Sequence, residues 1–328
     1  IDVTRRAVEI ETPSREILDR YVGGKGLGGR YVRRTAHLDW NHPDQVLCVF
    51  AGPLAGTAAP ASGRAHVVSK SPLTGLVGDA SVGGKLATRI KRAGWDGMVI
   101  TGQADRPVGI EIEDARVKIV DAAPLWGMDT QMVHNHLKPG KASLMAIGPA
   151  AENGVRYASI TVDRHFAAGR TGLGLCMAQK QIKYIQVNGR GRTLVKYPDL
   201  LKTAREDILR LSAASPVLMG QLGFSCLGTG AVYDLIDNRR MMPTDNFQKT
   251  RFDHAAKLNA ALYARQYAPQ KHGCLGCHVQ CKKTGTWNGE AVAMPEFETM
   301  SHFTALIGCA DADLVVQANQ LCNRLGMD

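Results

Sequence analysis

Cys274-Leu-Gly-Cys277-His-Val-Gln-Cys281 sets three thiols within eight residues, at spacing C-x2-C-x3-C. A loop of that spacing can turn three sulfurs onto one inorganic centre. Lys271 and His272 precede it and Lys282 and Lys283 follow it. Positive charge there favours thiolates and a reduced, negatively charged cluster. Three readings stand at this point. The favoured one is an iron–sulfur cluster, which needs a fourth ligand from elsewhere. The second is zinc held by three Cys with His278 or His272. The third is a set of unpaired structural thiols.

Working outward, 328 residues suffice for a large core and about two domains. Composition is that of a globular protein, 45% hydrophobic and 21% charged, with no low-complexity tract. The net charge of +10 suits acidic partners or anionic cofactor phosphates. The basic residues are scattered and form no stripe interleaved with aromatics, so nucleic acid is not the expected partner. Five of the eight cysteines (Cys48, Cys176, Cys226, Cys309, Cys322) lie apart from the loop. That usage implies a reducing compartment rather than a disulfide framework. There is no charged-plus-apolar leader and no apolar run of roughly 20 residues, so a cytoplasmic protein without a membrane span is expected. The chain opens on Ile1 and stops just after a helix, at Leu325-Gly-Met-Asp328, which reads as a piece of a longer polypeptide.

Along the chain, Val8-Glu-Ile10 reads as a short strand and Ser14 to Tyr21 as an amphipathic helix. Gly23-Gly-Lys-Gly-Leu-Gly-Gly29 reads as a loop, either a structural turn or a ligand loop. Its Lys25 is followed by Gly26, so it is no phosphate loop of the Walker type. Strands follow at Val46–Phe50, Ala65–Ser69, Met98–Thr101, Ser143–Ile147, Ser159–Val162 and Ile182–Val187. Val108–Ile112 and Arg116–Val120 form a hairpin. A second glycine loop is Asp79-Ala-Ser-Val-Gly-Gly84. The third, Ala167-Ala-Gly-Arg-Thr-Gly-Leu-Gly174, resembles a phosphate cradle, with open backbone N–H groups and the Arg170 guanidinium. Past Gly189-Arg-Gly-Arg192 helices dominate, at about 199–213, 227–238, 254–268 and 311–326. Apolar stripes run along the first (Leu201, Ala204, Ile208, Leu211) and the last (Leu314, Ala318, Leu321, Leu325). The expected class is α+β, with a β-rich domain over 1–192 and an α-helical domain over 193–328.

Glu296 and Glu298 lie two apart in Pro295-Glu-Phe-Glu298. On an extended segment both would face one side. In an apolar pocket such a pair supplies an acid/base, and on a surface strand it is only solvated.

These motifs assemble into a family pattern. Ala51-Gly-Pro-Leu-Ala-Gly56, Gly63-Arg64, Val67-Val-Ser-Lys-Ser-Pro-Leu-Thr-Gly75, Ile147-Gly-Pro-Ala-Ala-Glu-Asn153 and Ala167-Ala-Gly-Arg170 occur in order. With the cysteine loop and Pro295-Glu-Phe-Glu298, the chain resembles the tungsten-containing aldehyde:ferredoxin oxidoreductase family over essentially its whole length. The resemblance implies an N-terminal domain of two sheets, forming the base for two pterins that hold tungsten or molybdenum, with Mg2+ bridging their phosphates. Arg64, Ser81, Gly83, Ala167, Gly169, Arg170 and Asn323 fall at pterin-contacting positions. Cys274, Cys277 and Cys281 become three ligands of a 4Fe-4S cluster, with the fourth beyond residue 328. Glu298 falls where the family places an active-site carboxylate.

The implied activity is interconversion of an aldehyde and a carboxylate, with electrons passed to ferredoxin or an iron–sulfur partner subunit. A ring-reducing aryl-CoA reductase subunit, acting on an acyl-CoA, is the alternative on the same scaffold. A zinc-stabilised basic binding module is the alternative outside the family. Several positions depart from the pattern. Ser81 replaces Asn, Phe166 replaces a basic residue, and Asn323 replaces the Asp of an Asp-x-x-Gly-Leu motif. Gln317 and Gln320 replace the Glu and His that bind an inter-subunit metal in some dimers, which leaves the oligomeric state open.

Overall fold

A computed structural model describes residues 1–327, and its fold is α+β. The chain divides into two compact units. The first comprises Ile1–Pro198, Cys274–Gly276 and the residues from Asn323; the second comprises Asp199–Gly273 and Cys277–Cys322.

Two sheets build the first unit. β1 (Leu47–Ala51), β2 (Ala65–Lys70), β3 (Val77–Val82) and β4 (Gly97–Ile100) form an antiparallel sheet in the order β3-β2-β1-β4. β5 (Val108–Glu113), β6 (Arg116–Asp121), β7 (Ser143–Ala146), β8 (Ile160–Val162), β9 (Phe166–Ala168) and β10 (Ile182–Asn188) form the second, in the order β6-β5-β10-β7-β8-β9. Only β5 and β10 run parallel in it. The helices are α1 (Arg15–Tyr21), α2 (Gly24–Arg34), α3 (Leu86–Arg92), α4 (Thr130–Leu137), α5 (Pro149–Glu152) and α6 (Leu173–Gln179).

Strand alternation explains the layering. In β1, Leu47, Val49 and Ala51 enter the central core, which also takes Met145 of β7 and Ile185 and Val187 of β10. Cys48 and Phe50 point the other way, onto Leu27, Tyr31 and Val32 of α2. β1 therefore reads as a continuous apolar run because both its faces are covered. On the far side, Leu144 and Ala146 of β7 pack with Val133 of α4 and Tyr184 of β10.

The expected glycine loop at Gly23–Gly29 is instead the start of α2. A Cβ on Gly28 would stand 2.6 Å from Val68 Cγ2, and one on Gly26 would stand 2.2 Å from the Tyr21 carbonyl oxygen. The glycines let α2 lie directly on the sheet and on α1, which is a packing role. Val8–Ile10 forms no strand; the N-terminal segment pairs only through bridges of Asp2 to Ala7 and Thr101.

The second unit holds α7 (Pro198–Ala213), α8 (Pro216–Met219), α9 (Phe224–Leu227), α10 (Tyr233–Asn238), α11 (Ala260–Tyr267), α12 (Phe297–Phe303) and α13 (Ala312–Leu325). α13 runs on into the first unit at Asn323. The expected helix 227–238 is interrupted at Gly228, whose φ is +72°. The expected helix 254–268 breaks into a 3-10 turn at Ala255–Lys257 and α11, which the Asn259 side chain caps. A small sheet, β11 (Gln270–His272), β12 (Lys282–Trp287) and β13 (Glu290–Ala293), was not expected. Its first two strands are short and polar, so they carry no alternating apolar signal.

The core contains Tyr233, Phe252, Tyr263, Met300, Val315 and Val316. α13 thus buries Val315, Val316 and Asn319, while the expected stripe residues Leu314 and Leu321 are each 53% exposed. On α7 only Ser212 is buried, and Leu211 is 72% exposed. Among the described residues no helix is long and apolar enough to cross a membrane.

Candidate functional site

In the first unit, β2 and β3 set Arg64 against Ser81. Arg64 Nε donates to Ser81 Oγ at 3.0 Å, and its Nη2 donates to the Ser81 carbonyl oxygen at 3.2 Å. The register pairs Ala65 with Val82 and His66 with Ser81, so Arg64 lies at the end of the ladder with an exposed guanidinium. His66 Nδ1 lies 3.4 Å from Asp79 Oδ2. Burial lowers the His66 pKa against the pull of Asp79.

After Val82 the chain turns at Gly83 and Gly84, both buried. A Cβ on Gly83 would stand 2.5 Å from Cys274 Sγ and 2.9 Å from Phe166 Cδ1. The Leu275 N–H donates to the Gly84 carbonyl at 3.1 Å. Asp163 pins this turn from the other sheet. Its carboxylate accepts from the Lys85 N–H at 2.7 Å, the Ser143 hydroxyl at 3.0 Å and the Leu144 N–H at 3.1 Å.

β9 carries Ala167 exposed, and the chain then winds through Gly169 into a 3-10 turn at Arg170–Gly172. β3 packs beside both β9 and that turn. Thr171 adopts φ +73° and its carbonyl accepts from Ser71 Oγ at 2.8 Å. A Cβ on Gly172, at φ +74°, would fall 2.0 Å from the Arg156 carbonyl, so only glycine fits. The Asn323 carbonyl accepts from Thr130 Oγ1 at 2.8 Å and Thr161 Oγ1 at 3.4 Å. Thr161 is the ladder partner of Ala167, which places Asn323 one strand from β9. The first unit therefore gathers Arg64, Ser81, Gly83, Ala167, Gly169 and Arg170 on adjoining elements, with Asn323 at their margin. The exposed guanidiniums of Arg64 and Arg170 on these adjoining elements fit an anionic group such as a cofactor phosphate.

The connection of the β11–β12 hairpin carries the cysteines, with Cys274–Gly276 in the first unit and Cys277 and Cys281 in the second. His272 and Cys281 bridge at its neck, and a Cβ on Gly273 would stand 2.8 Å from Gln280 Cα. Lys283, 6% exposed, donates to the carbonyls of Gln280 (2.8 Å), Lys282 (3.1 Å) and Phe224 (3.2 Å). Burial lowers its pKa, and Cys281 opposes that shift. Lys282 is ion-paired with Glu296. Both ring nitrogens of His278 are buried without a hydrogen-bond partner among the described residues.

Pro295-Glu-Phe-Glu298 is not extended. Glu296 is the N-cap residue of α12 and Glu298 lies in its first turn, exposed. The Phe297 N–H donates to Thr229 Oγ1 at 3.0 Å. The two carboxylates are therefore separated in role: Glu296 is committed to Lys282, and Glu298 is left facing outward. The ion pair ties the first turn of α12 to the residue that follows Cys281.

Among the described residues no three His, Cys, Asp or Glu side chains converge as metal ligands, and no disulfide is formed. A cavity of about 590 Å³ in the first unit is lined by Glu11, Tyr31, Trp95 and Val99 and includes none of the residues expected at the site. A smaller cavity in the second unit is lined by Cys281, Lys283 and Glu296. Asp163 and Lys283 escape sequence reasoning, because each acts on backbone groups and carries no motif.

The descriptions that match the chain are "Aldehyde ferredoxin oxidoreductase, N-terminal domain" over residues 1–189 and "Aldehyde ferredoxin oxidoreductase, domains 2 & 3" over residues 203–328. It is 32% identical over 336 residues to a tungsten-containing aldehyde ferredoxin oxidoreductase of Thermococcus kodakarensis, covering 100% of this chain and 55% of that one. The protein of the same description from Pyrococcus abyssi is 33% identical over 337 residues, with the same coverage. The chain thus spans about half the length of the curated relatives it matches. Its fold is similar to that of the active-site complex BamBC of benzoyl coenzyme A reductase in complex with 1,5-dienoyl-CoA. The TM-score is 0.84 at 24% identity, over 100% of this chain and 52% of the other.

Proposed function

The chain belongs to the aldehyde ferredoxin oxidoreductase family, and from that premise we propose that it is part of a metallopterin enzyme that oxidises an aldehyde to a carboxylate or runs the reverse. The observation that supports the reading is the contact of Gly83 with Cys274, two residues to which the family resemblance gives a pterin role and a cluster role. When bound, a tungsten or molybdenum bis-pterin supplies two-electron chemistry and a 4Fe-4S cluster supplies single-electron transfer.

The chain's own residues have separable tasks. Arg64 and Arg170 would hold the pterin phosphates, whose remaining charge Mg2+ would neutralise, Arg64 with its guanidinium oriented by Ser81. Ala167 and Gly169 offer backbone groups to the pterins, Gly83 lets the Cys274 side chain pack against the same turn, and Asn323 lies at the edge of the same surface. Cys274, Cys277 and Cys281 are three cluster ligands. Glu298 takes or returns the proton at the carbonyl carbon's water or aldehyde oxygen. The cationic surface, net +10, suits an acidic ferredoxin or an iron–sulfur subunit in a reducing cytoplasm.

The substitution of Gln317 and Gln320 at the family's inter-subunit metal positions favours keeping a second reading, the catalytic subunit of an aryl-CoA reductase with a different assembly. The deciding experiment purifies the full-length protein, measures its tungsten, molybdenum, iron, zinc and pterin, and assays aldehydes and aromatic acyl-CoA esters with a dye mediator. Aldehyde turnover supports the first reading. Turnover of an aryl-CoA ester alone replaces it with the second. Zinc without iron, tungsten or molybdenum overturns both.

A further inference from the structure

The lysines of the cysteine hairpin have partners: Lys283 is held by three carbonyls, Lys282 by Glu296, and Lys271 Nζ by Ser225 Oγ at 3.2 Å. At His278 both ring nitrogens are shielded from solvent, and neither makes a hydrogen bond among the described residues. An unmade bond at a buried polar atom leaves its desolvation uncompensated. A loop that leaves two such atoms on one ring calls for a partner of another kind. Cys277 immediately precedes the ring and Cys281 follows three residues later. At the neck of the loop Gly273 approaches Gln280 and His272 bridges to Cys281.

We propose that His278 donates a ring N–H to a sulfur of the iron–sulfur cluster that Cys277 and Cys281 help to hold, and so sets the cluster's reduction potential. The inference rests on the cofactor reading above. Neutral or charged, imidazole keeps at least one N–H to give. Hydrogen bonds to cluster sulfur stabilise the more negative, reduced state and raise the potential. His278 acts here as a positioning residue; ligation of the iron stays with the cysteines.

The test uses the full-length protein with its cluster, in the wild type and the variants His278→Phe and His278→Gln. Iron, labile sulfide and zinc are measured first, then the potential by spectroelectrochemical titration. His278→Phe should keep iron and sulfide while its potential moves to a more negative value. His278→Gln, which retains an N–H donor, should recover part of that shift. A wild-type potential in the Phe variant overturns the inference and leaves the cofactor reading intact. Absence of iron and sulfide from the wild type overturns the cofactor reading itself. Zinc bound through a histidine nitrogen overturns both.

One measurement does not depend on a variant's folding. Wild type labelled with heavy-nitrogen histidine should give a weak nitrogen coupling in the paramagnetic resonance spectrum of the reduced cluster, with an exchangeable proton lost in heavy water. A spectrum without either sinks the proposal.

Discussion

Gly83 stands against Cys274 so closely that a Cβ on the glycine would lie 2.5 Å from the cysteine Sγ. The two residues are 191 positions apart in sequence, and the Leu275 N–H bond to the Gly84 carbonyl holds them together. Gly83→Ala should therefore displace the Cys274 sulfur or the Phe166 ring, which lies 2.9 Å from the same point. Iron and labile sulfide per protein should fall. Gly29→Ala is the control, since nothing lies within 4 Å of a Cβ there. Equal iron contents in the two variants would remove Gly83 from the support of the cluster loop.

Arg64 gives a second prediction. Its Nε bond to Ser81 fixes an exposed guanidinium in one direction. Arg64→Ala should lower tungsten or molybdenum and pterin content together, because the anionic cofactor loses a bidentate partner. Ser81→Ala keeps the charge and should lose less. Metal analysis of the two variants, read with the fluorescence of the oxidised pterin, checks the order.

Glu298 is exposed in the first turn of α12, unlike Glu296, which is paired with Lys282. Glu298→Gln should retain iron, metal and pterin while turnover drops by roughly a hundredfold or more, the usual scale for a lost general acid or base. Full turnover in that variant would take Glu298 out of the mechanism. Glu296→Gln should act instead through the ion pair, on stability.

Lys180 is 4% exposed, and its ammonium donates to the carbonyls of Pro43 (2.8 Å) and Gly102 (3.1 Å). Burial lowers its pKa to about 8. Below pH 8 both folded and unfolded chains carry the proton, and the folded state bears the full penalty. Between pH 8 and the ordinary lysine value only the unfolded chain binds it, so this group's contribution to stability improves as pH rises. Cys48 and Cys176 oppose the trend: burial raises both thiols, so the unfolded chain loses their protons first. The Lys180 contribution is therefore read as a difference. Urea unfolding of wild type minus Lys180→Met, followed from pH 7.5 to 10, should move in favour of the wild type, by up to roughly 3 kcal/mol. A difference that stays flat across that range contradicts the assignment.

Strands β1, β7 and β10 were legible because they bury both faces and so read as unbroken apolar runs, whereas β3 (Val77–Val82) and β9 (Phe166–Ala168) run into the stretches read as glycine loops at Asp79–Gly84 and Ala167–Gly174. The glycine clusters were legible as clusters but not as roles. Gly23–Gly29 proved to be a helix packed on Val68, while Gly83 and Gly172 serve turns that tolerate no Cβ. The stripe on α13 misled, because Val315, Val316 and Asn319 meet the core and Leu314 and Leu321 do not. A helix's sequence shows that it has an apolar side, but its neighbours choose which side is covered. Asp163 was invisible because it holds Lys85 and Leu144 backbone N–H groups far from it in sequence, and Lys283 because its bonds to carbonyls of its own loop and of Phe224 carry no motif.

By itself the sequence determined the α+β class, the order of the motifs, the three-cysteine spacing and, through those motifs, the family. These are properties of local periodicity and residue spacing, which survive without knowledge of what packs where. The tertiary structure alone brings Arg64 to Ser81 and Gly83 to Cys274, pairs Glu296 but not Glu298 with Lys282, and buries both ring nitrogens of His278 without a hydrogen bond among the described residues. Each of those depends on contacts between segments far apart along the chain or on the burial of single atoms, and no local pattern encodes either.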